Sequence, residues 1–402
     1  MTVGIVGGGA AGLFLGNLIE GATLFEGRDR VGKKLLATGN GRCNLSNLDM
    51  DLGHYHGDPD FIRGVFQRAS QEKVLGIFSA LGLDLLTEER GRYYPRTLQA
   101  SSVVNVLRKG AEERNTLLTD REICKIKKTK GGYQLEDQEG NQYFFDQVVL
   151  ACGGRAMPAS GSRGQGYDLA RSLGLKVTDI FPGIVQVKTE DPFLKHLAGV
   201  KIDGRLDLLV DGKFQSSYQG EILITKYGLS GPPILDASRQ AISSYRARSK
   251  VDFRFSLLNG VTDFQETYDY VEEKTYQHFH KSLEDFLQGL VHKKFIHLVA
   301  KTLQVKRETP LENLDYQDLR RLWTLLSSYT MPMSGHLSYD QAQVTIGGVD
   351  TSQMKTSLEV KSHPGLYILG ELLDVDGDCG GYNLQWAWST ALSAFKAIKK
   401  DS

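Results

Sequence analysis

The sequence predicts an α/β protein in which one sheet domain is assembled from both ends of the chain and a second domain is inserted between them. Three observations predict it. The chain opens with Val3-Gly-Ile-Val6 running into Gly7-Gly-Gly-Ala-Ala-Gly12, a short apolar strand ending in a glycine turn. Near the other end, Leu366-Tyr-Ile-Leu369 runs into Gly370-Glu371, and Gly380-Gly-Tyr-Asn-Leu384 follows. From about Pro182 the pattern shifts to short strands and then to charged helices, before the strand-and-glycine pattern returns at about Gly335. The expected division is 1–184 and 335–402 for the sheet domain and 185–334 for the insert, β-rich over 185–256 and helical over 257–334.

At 402 residues the chain can bury more than one core. Apolar residues make up 41% and charged residues 24%, the balance of a globular protein in water. Lys plus Arg equals Asp plus Glu, so no net field draws the molecule to nucleic acid or to an anionic membrane. No apolar run approaches the ~20 residues that cross a bilayer. The first segment reads as a strand and not as a secretory leader, so the expected location is cytoplasmic. Cys43, Cys124, Cys152 and Cys379 form no C-x-x-C pair and are expected as free, mostly buried thiols.

The elements follow in order. After Val3–Val6, a helix carries Leu13, Phe14, Leu15, Leu18 and Ile19, and residues 22–26 form the second strand. The crossover is short, because Glu20-Gly-Ala22 leaves little room for a long helix. Helical patterns occupy 60–82 and 99–114. A cluster of strands is expected at 116–119, 122–128, 132–136 and 141–145, with turns at Lys130-Gly-Gly132 and Glu139-Gly-Asn141. Val148-Val-Leu-Ala151 is apolar throughout, as a central parallel strand requires. In the insert a helix starts near Leu229-Ser-Gly-Pro-Pro233, and helices fill 262–327. The last helix starts near Gly381, and Leu384, Trp388, Ala391, Leu392 and Phe395 form one stripe along it.

Gly7, Gly9 and Gly12 fit the G-x-G-x-x-G turn of Rossmann-like dinucleotide sites. The first glycine allows a tight turn, the second lets backbone approach a pyrophosphate, and the third lets helix pack on strand. Ala10 and Ala11 lie at the helix start, where free N–H groups and the dipole favour phosphate. Glu26 lies 19 positions after Gly7, where a carboxylate holds a ribose hydroxyl pair. A carboxylate there disfavours a 2′-phosphate. No second G-x-G-x-x-G follows a strand elsewhere, which favours FAD over a separate nicotinamide domain. The strand end with Ala151 and Gly153 resembles the A-T-G strand end of two-dinucleotide-binding flavoproteins, and Gly370-Glu371 resembles their G-D motif at the ribityl chain. Ile123 lies on the strand whose counterpart in such folds lies against adenine. At the last helix, Gly380 and Gly381 allow close approach, and the N-terminus beginning at Gly381, Tyr382, Asn383 and Leu384 would stabilise negative charge on a reduced flavin.

Three strings then carry a family likeness. They are Gly32-Lys-Lys-Leu-Leu-Ala-Thr-Gly-Asn-Gly-Arg-Cys-Asn44, Thr345-Ile-Gly-Gly-Val349, and Gly370-Glu-Leu-Leu-Asp374 with Gly380-Gly-Tyr-Asn-Leu-Gln-Trp-Ala-Trp-Ser389. With Tyr227-Gly-Leu-Ser-Gly-Pro-Pro233, they resemble the BaiN-like flavoprotein family, also called the aminoacetone-oxidase type, over nearly the full length. The resemblance implies a Rossmann-like two-dinucleotide-binding FAD domain with an inserted β-barrel-like plus helical domain. It implies an FAD-dependent oxidoreductase acting by enone-type reduction or amino-ketone oxidation on a small organic molecule. Cys152 departs from the Thr usual in the family.

Lys33, Lys34, Gly41, Arg42 and Asn44 lie in the loop expected to run over FAD. The cations would offset pyrophosphate or reduced-flavin charge, and Asn44 would hydrogen-bond the ring. Asp374, in the last string, is a further candidate on the cofactor side. On the substrate side, Tyr93 and Tyr94 are candidate proton donors beside Arg92 and Arg96; the plainer alternative is a strand with packing tyrosines. Trp386 and Trp388 are expected in the core. His278, His280, His292 and His297 lack metal-ligand spacing, and no metal is expected. Lys301, Lys306, Arg307, Arg320 and Arg321 read as a solvated helical surface, without a nucleic-acid role. Hydride exchange at flavin N5 leaves the flavin to be recycled by NAD(P)H or oxygen. The alternative is a protein that retains FAD as a structural or sensing ligand and uses the insert as a partner module. Purified protein is expected to show flavin absorbance or to acquire it on soaking in FAD; a preparation that stays colourless in excess FAD overturns the cofactor reading.

Overall fold

The computed structural model describes residues 1–399, which form two compact units. The first contains 1–182 and 339–399, and the second contains 183–338.

The core of the first unit is a five-stranded parallel sheet in the order Leu366–Ile368, Gln147–Leu150, Val3–Val6, Thr23–Phe25, Thr116–Leu118. The three strands 366–368, 147–150 and 3–6 are buried at every residue. Parallel strands covered on both faces need such unbroken apolar runs. Residues 116–118 belong to this sheet, with Thr116 opposite Thr23, and not to the antiparallel cluster expected from the sequence. That cluster is a three-stranded meander of Ile123–Thr129, Gly132–Asp137 and Gln142–Phe145. The Thr-Leu-Leu segment 116–118 suits a sheet edge as well as a meander strand, so only the pairing separates them.

The helix Ala10–Gly16 is seven residues long, as the short crossover requires. Asn17, just past it, donates from Nδ2 to Leu13 O and Leu107 O at 2.8 Å each. This ties the first helix to Ala100–Arg114. A small sheet of Ser46–Asn47, Arg92–Pro95 and Leu85–Thr87 completes the unit with a two-stranded pair of Tyr55–His56 and Asp376–Gly377.

The last helix, Tyr382–Ile398, is not a simple amphipathic stripe. Leu384 and Phe395 are only half-buried, whereas Gln385, Trp386, Ser389, Thr390 and Ser393 are buried with Trp388, Ala391 and Leu392. A helix enclosed on all sides must satisfy its small polar groups locally. Gln385 Nε2 donates to Ser389 Oγ at 2.9 Å, Thr390 Oγ1 to Ala387 O at 2.9 Å, and Ser393 Oγ to Thr356 O at 2.9 Å. Trp388 is fully buried against Phe14 and Phe78, and its Nε1 donates to Leu45 O at 3.1 Å.

The second unit is a closed six-stranded barrel: Val187–Thr189, Gly228–Ser230, Lys213–Ile224, Lys201–Val210, Val251–Phe255 and Tyr329–His336. Residues 329–336, placed in the helical part by the sequence pattern, form the strand that closes it. Alternation with Met331 and Met333 inward is a strand period, which a helix-rich neighbourhood obscures. The helices Phe264–Gln277, Leu283–Gln288, Lys294–Leu303 and Tyr316–Ser327 follow the expected 262–327 region. Three of them start at Asp263, Ser282 and Asp315, whose side chains accept backbone N–H groups of the first turn.

The cysteines are free, but only Cys43 is buried; Cys124 is exposed, and Cys152 and Cys379 are intermediate. No described helix is long and apolar enough to cross a membrane. Trp388→Ala is expected to lower stability by about 3–5 kcal/mol, read from the denaturant midpoint of the first unit. An unchanged midpoint would show that Trp388 packing does not hold the last helix.

Candidate cofactor and substrate site

The glycine turn sits at the carboxyl end of the central strand, and each glycine meets a different constraint. Gly7 has φ 113°, and a Cβ there would overlap the Ala151 carbonyl of the neighbouring strand end. A Cβ on Gly12 would overlap Gly7 O. A Cβ on Gly9 would meet nothing within 4 Å, so this position faces open space. Ala10 is half-buried beside it and Ala11 is buried. Glu26 follows the second strand. Its Oε2 accepts Gly8 N at 3.1 Å and its Oε1 accepts Arg28 N at 2.9 Å. Burial raises its pKa against the lowering effect of those bonds and of Lys33 and Arg28.

The neighbouring strand ends converge on the same edge. Ala151 N donates to Val6 O at 2.8 Å, and Gly153 has φ 70° with nothing nearer a Cβ than Ser162 Cβ at 4.0 Å. Glu371 Oε2 pairs with Lys34 Nζ at 2.6 Å, and Oε1 accepts Thr345 N at 2.8 Å. Thr345 Oγ1 in turn accepts Arg155 N at 2.7 Å and Ala156 N at 3.0 Å. Residues 34, 371, 345 and 155 are thus joined in one polar chain from four distant segments. Gly370, at φ 64°, donates to Thr390 Oγ1 at 3.0 Å, and its carbonyl accepts Trp386 Nε1 at 3.2 Å. Asp374 N donates to Val349 O at 3.0 Å, which sets the turn after this strand.

The loop 38–44 is held by left-handed backbone at Gly39, Asn40, Gly41 and Cys43, with Cys43 N bonded to Thr38 O at 2.9 Å. It brings Asn44 to the start of the last helix. Asn44 is buried, yet its Oδ1 has no hydrogen-bond partner among the described residues. That oxygen lies 2.8 Å from where a Cβ on Gly381 would sit, and Gly381 has φ 102°. Asn47 Nδ2 donates to Gly380 O at 3.0 Å. Leu384 is half-buried on the first turn. Asn383 is turned to the fold: its Oδ1 accepts Gly377 N at 2.9 Å and its Nδ2 donates to Gly377 O at 2.7 Å. Only its backbone is left for a ligand. An orphaned buried acceptor beside a glycine-opened helix start, and open space over Gly9, fit a flavin dinucleotide.

Other candidates are engaged elsewhere. Arg42 Nη1 bonds both carboxylate oxygens of Glu88 at 3.0 and 2.9 Å, and its guanidinium lies 4.4 Å over the Tyr94 ring. Tyr94 is buried, with its hydroxyl 3.4 Å from Arg42 Nη2. Arg42 is thereby a clamp on Tyr94 and Glu88, and the Tyr94 hydroxyl is covered. Tyr93 is half-buried in the small sheet between Ser46 and Thr87. Lys33 pairs with Asp29 at 2.5 Å. Ile123 is buried at the start of its meander strand, opposite Asp137.

One group has no counterpart in the sequence reading. Asp378 bridges His54 and His56: Oδ2 to His54 Nδ1 at 3.0 Å and Oδ1 to His56 Nε2 at 2.8 Å. His54 Nε2 reaches Asp49 Oδ2 at 3.2 Å. The His54 ring stacks on Tyr382, the first residue of the last helix, at 4.4 Å and 18°. More than 320 residues separate the histidines from Asp378, so no local spacing signals the cluster. Among the described residues no group of His, Cys, Asp and Glu could hold a metal ion.

Desolvation pushes the thiols of buried Cys43 and partly exposed Cys152 up to about 12. Thiolate is the form that alkylates, so both stay inert below pH 9. At pH 8.5 iodoacetamide is expected to modify Cys124 first and to reach Cys43 and Cys152 only after unfolding. Rapid loss of Cys152 in the folded protein, read by peptide mass mapping, would contradict its raised pKa.

Known proteins resemble this chain over nearly its whole length. A family model described as the HI0933-like protein Rossmann domain matches residues 1–397. The chain is 35% identical to a 3-dehydro-bile acid delta(4,6)-reductase of Clostridium scindens, over 98% of both lengths. It is 30% identical to a ribosomal RNA dihydrouridine synthase of Escherichia coli, over 96% of this chain and 95% of the other. Among solved structures, a 3-ketosteroid delta1-dehydrogenase from Sterolibacterium denitrificans shares the fold, at TM-score 0.53 and 12% identity over the whole of both chains.

Proposed function

The chain belongs to the HI0933-like family of FAD-dependent oxidoreductases, and from that premise we propose that it reduces a carbon–carbon double bond conjugated to a carbonyl. One observation carries the reading. Two relatives matched over nearly their full lengths are named for different substrates but for one kind of bond. A delta-4 double bond is conjugated to a steroid 3-ketone, and the 5,6 double bond of uracil is conjugated to its 4-carbonyl. Reduction of either adds hydride at the far carbon and a proton at the carbon next to the carbonyl.

In this reading the residues divide the cofactor between them. The open backbone at Gly9 and the helix start at Ala10, Ala11 and Gly12 take the pyrophosphate. Glu26 takes the ribose, and Ile123 lies on the adenine side. Glu371, oriented by Lys34 and Thr345, takes the ribityl hydroxyls. Asn44 and the N–H groups of residues 381–384 take the polar edge of the ring. Bound FAD supplies hydride, drawn from NADH or NADPH.

A second reading concerns what carries the double bond, and a charge pattern favours it. Residues 286–307 contain no Asp or Glu but hold Lys293, Lys294, Lys301, Lys306 and Arg307. In the second unit His196 and His297 rings lie 5.2 Å apart, and Arg307 Nη2 lies 3.1 Å from His297 Nδ1. Desolvation and then the cations Arg307 and Lys301, with His196, lower the pKa of His297. A stretch so rich in cations suits a phosphate backbone, and the conjugated bond would then belong to a uridine in RNA rather than to a free small molecule.

FAD-loaded protein, reduced anaerobically with NADH or NADPH, tests both. Reoxidation by a 3-keto-4-ene steroid favours the small-molecule substrate. Reoxidation by a uridine-containing ribosomal RNA fragment, weakened steeply by salt, favours RNA. Failure of both classes to reoxidise the flavin overturns the reading. A bound flavin that neither dinucleotide reduces would favour the retained-ligand alternative.

A further inference from the structure

We infer that His54 is the proton donor of the reduction, held by Asp378 and released from the side of Asp49. This rests on the reading of the protein as a reductase of conjugated double bonds. Of the two donors suggested by the sequence, Tyr94 is buried beneath Arg42 and Tyr93 is half-buried in the small sheet, whereas the His54 side chain is partly exposed.

The geometry sets the charge of His54. Both ring nitrogens face carboxylates, Nδ1 towards Asp378 at 3.0 Å and Nε2 towards Asp49 at 3.2 Å. A carboxylate only accepts, so each nitrogen must carry a hydrogen, and the ring satisfies both bonds only as imidazolium. Desolvation opposes that charge, but Asp378 and Asp49 outweigh it and hold the pKa above the usual histidine range. Asp378 is held below its usual range by His56 and His54 in spite of its own burial. The other polar groups around the cluster are Tyr382, under the ring, with Asp51 and Arg92 acting on Tyr382.

The two carboxylates differ in exposure, and that gives the proton a direction. Asp378 is anchored, with its backbone N bonded to His54 O at 2.9 Å and its second oxygen on His56. Asp49 is 65% exposed at its side chain and lies at the end of a loop. The Nε2 edge is therefore the one that can turn to a ligand. The His54 ring lies over Tyr382, which directly follows Gly380 and Gly381, and a Cβ on Gly381 would lie 2.8 Å from the orphaned Asn44 oxygen.

The step balances. Hydride, originating in a nicotinamide dinucleotide, adds to the carbon distal to the carbonyl, and the double-bond electrons pass onto the carbonyl oxygen. The Nε2–H bond of His54 breaks and a C–H bond forms at the carbon next to the carbonyl. His54 is left neutral between Asp378 and water, and its partial exposure lets solvent return the proton. His56 and Asp378 act as positioning residues.

The test has two arms. In the full-length protein, histidine-labelled NMR is expected to show the His54 imidazolium persisting above pH 7 and Asp378→Asn bringing its titration to lower pH. This arm needs no turnover. In the second arm, His54→Gln should bind FAD and take up hydride from the dinucleotide as the parent does. Its reoxidation by the conjugated substrate should slow by roughly 10²–10⁴-fold. The parent's reoxidation should fall as pH rises through the His54 titration, and Asp378→Asn should move that fall to lower pH. A neutral His54 at pH 7, or His54→Gln reoxidising at the parental rate with the parental pH profile, overturns the inference. If His54→Gln does not fold, the Asp378→Asn pH profile decides, and an unmoved profile overturns it. A parent protein that no conjugated carbonyl reoxidises would instead sink the reductase reading, with the NMR arm still deciding the charge of His54.

Discussion

The structure depends on three parallel strands ending side by side. Gln147–Leu150 lies between Val3–Val6 and Leu366–Ile368. Their carboxyl ends deliver Gly7, Ala151 with Gly153, and Gly370 to one edge. Backbone must approach backbone there without side chains between. A Cβ on Gly7 would overlap the Ala151 carbonyl, and one on Gly12 would overlap Gly7 itself. Open parallel sheets bind ligands at this edge because strand ends and helix starts leave N–H groups unpaired there.

The charges around that edge follow from the same convergence. Glu26 and Glu371 are drawn into low-dielectric surroundings, where a lone carboxylate is costly. Glu26 is held by two backbone N–H groups. Glu371 is held by Lys34 and by Thr345 N. Both carboxylates are fixed in orientation before any ligand arrives, so little ordering is left for binding to supply. Asn44 Oδ1 differs from them: like several other buried polar atoms of the described residues, it is an acceptor without a donor in the fold itself.

The last helix links this edge to the rest of the first unit. Its tryptophans are structural donors, Trp386 to Gly370 O and Trp388 to Leu45 O. One bond fixes the strand end that leads to Glu371, and the other fixes the loop that carries Asn44. A stripe of apolar positions describes such a helix poorly, because its serines, threonine and glutamine are buried too. They are tolerated since each hydroxyl finds a carbonyl or a partner side chain within reach.

The sequence by itself determined the class of fold, the glycine turn, the carboxylates at 26 and 371, and the helix start at 381. These are local signals: strand period, turn geometry and the spacing of a carboxylate after a glycine. Only the tertiary structure decided the rest. It placed residues 116–118 in the parallel sheet and made 329–336 the closing strand of the barrel. It turned Arg42 onto Tyr94 and Glu88, spent the Asn383 side chain on Gly377, and joined His54 and His56 through Asp378. Each depends on which of several equally suitable partners a side chain or strand meets. Partners hundreds of residues apart leave no periodicity in a chain, and their choice is made by packing and by the cost of leaving buried polar groups unpaired.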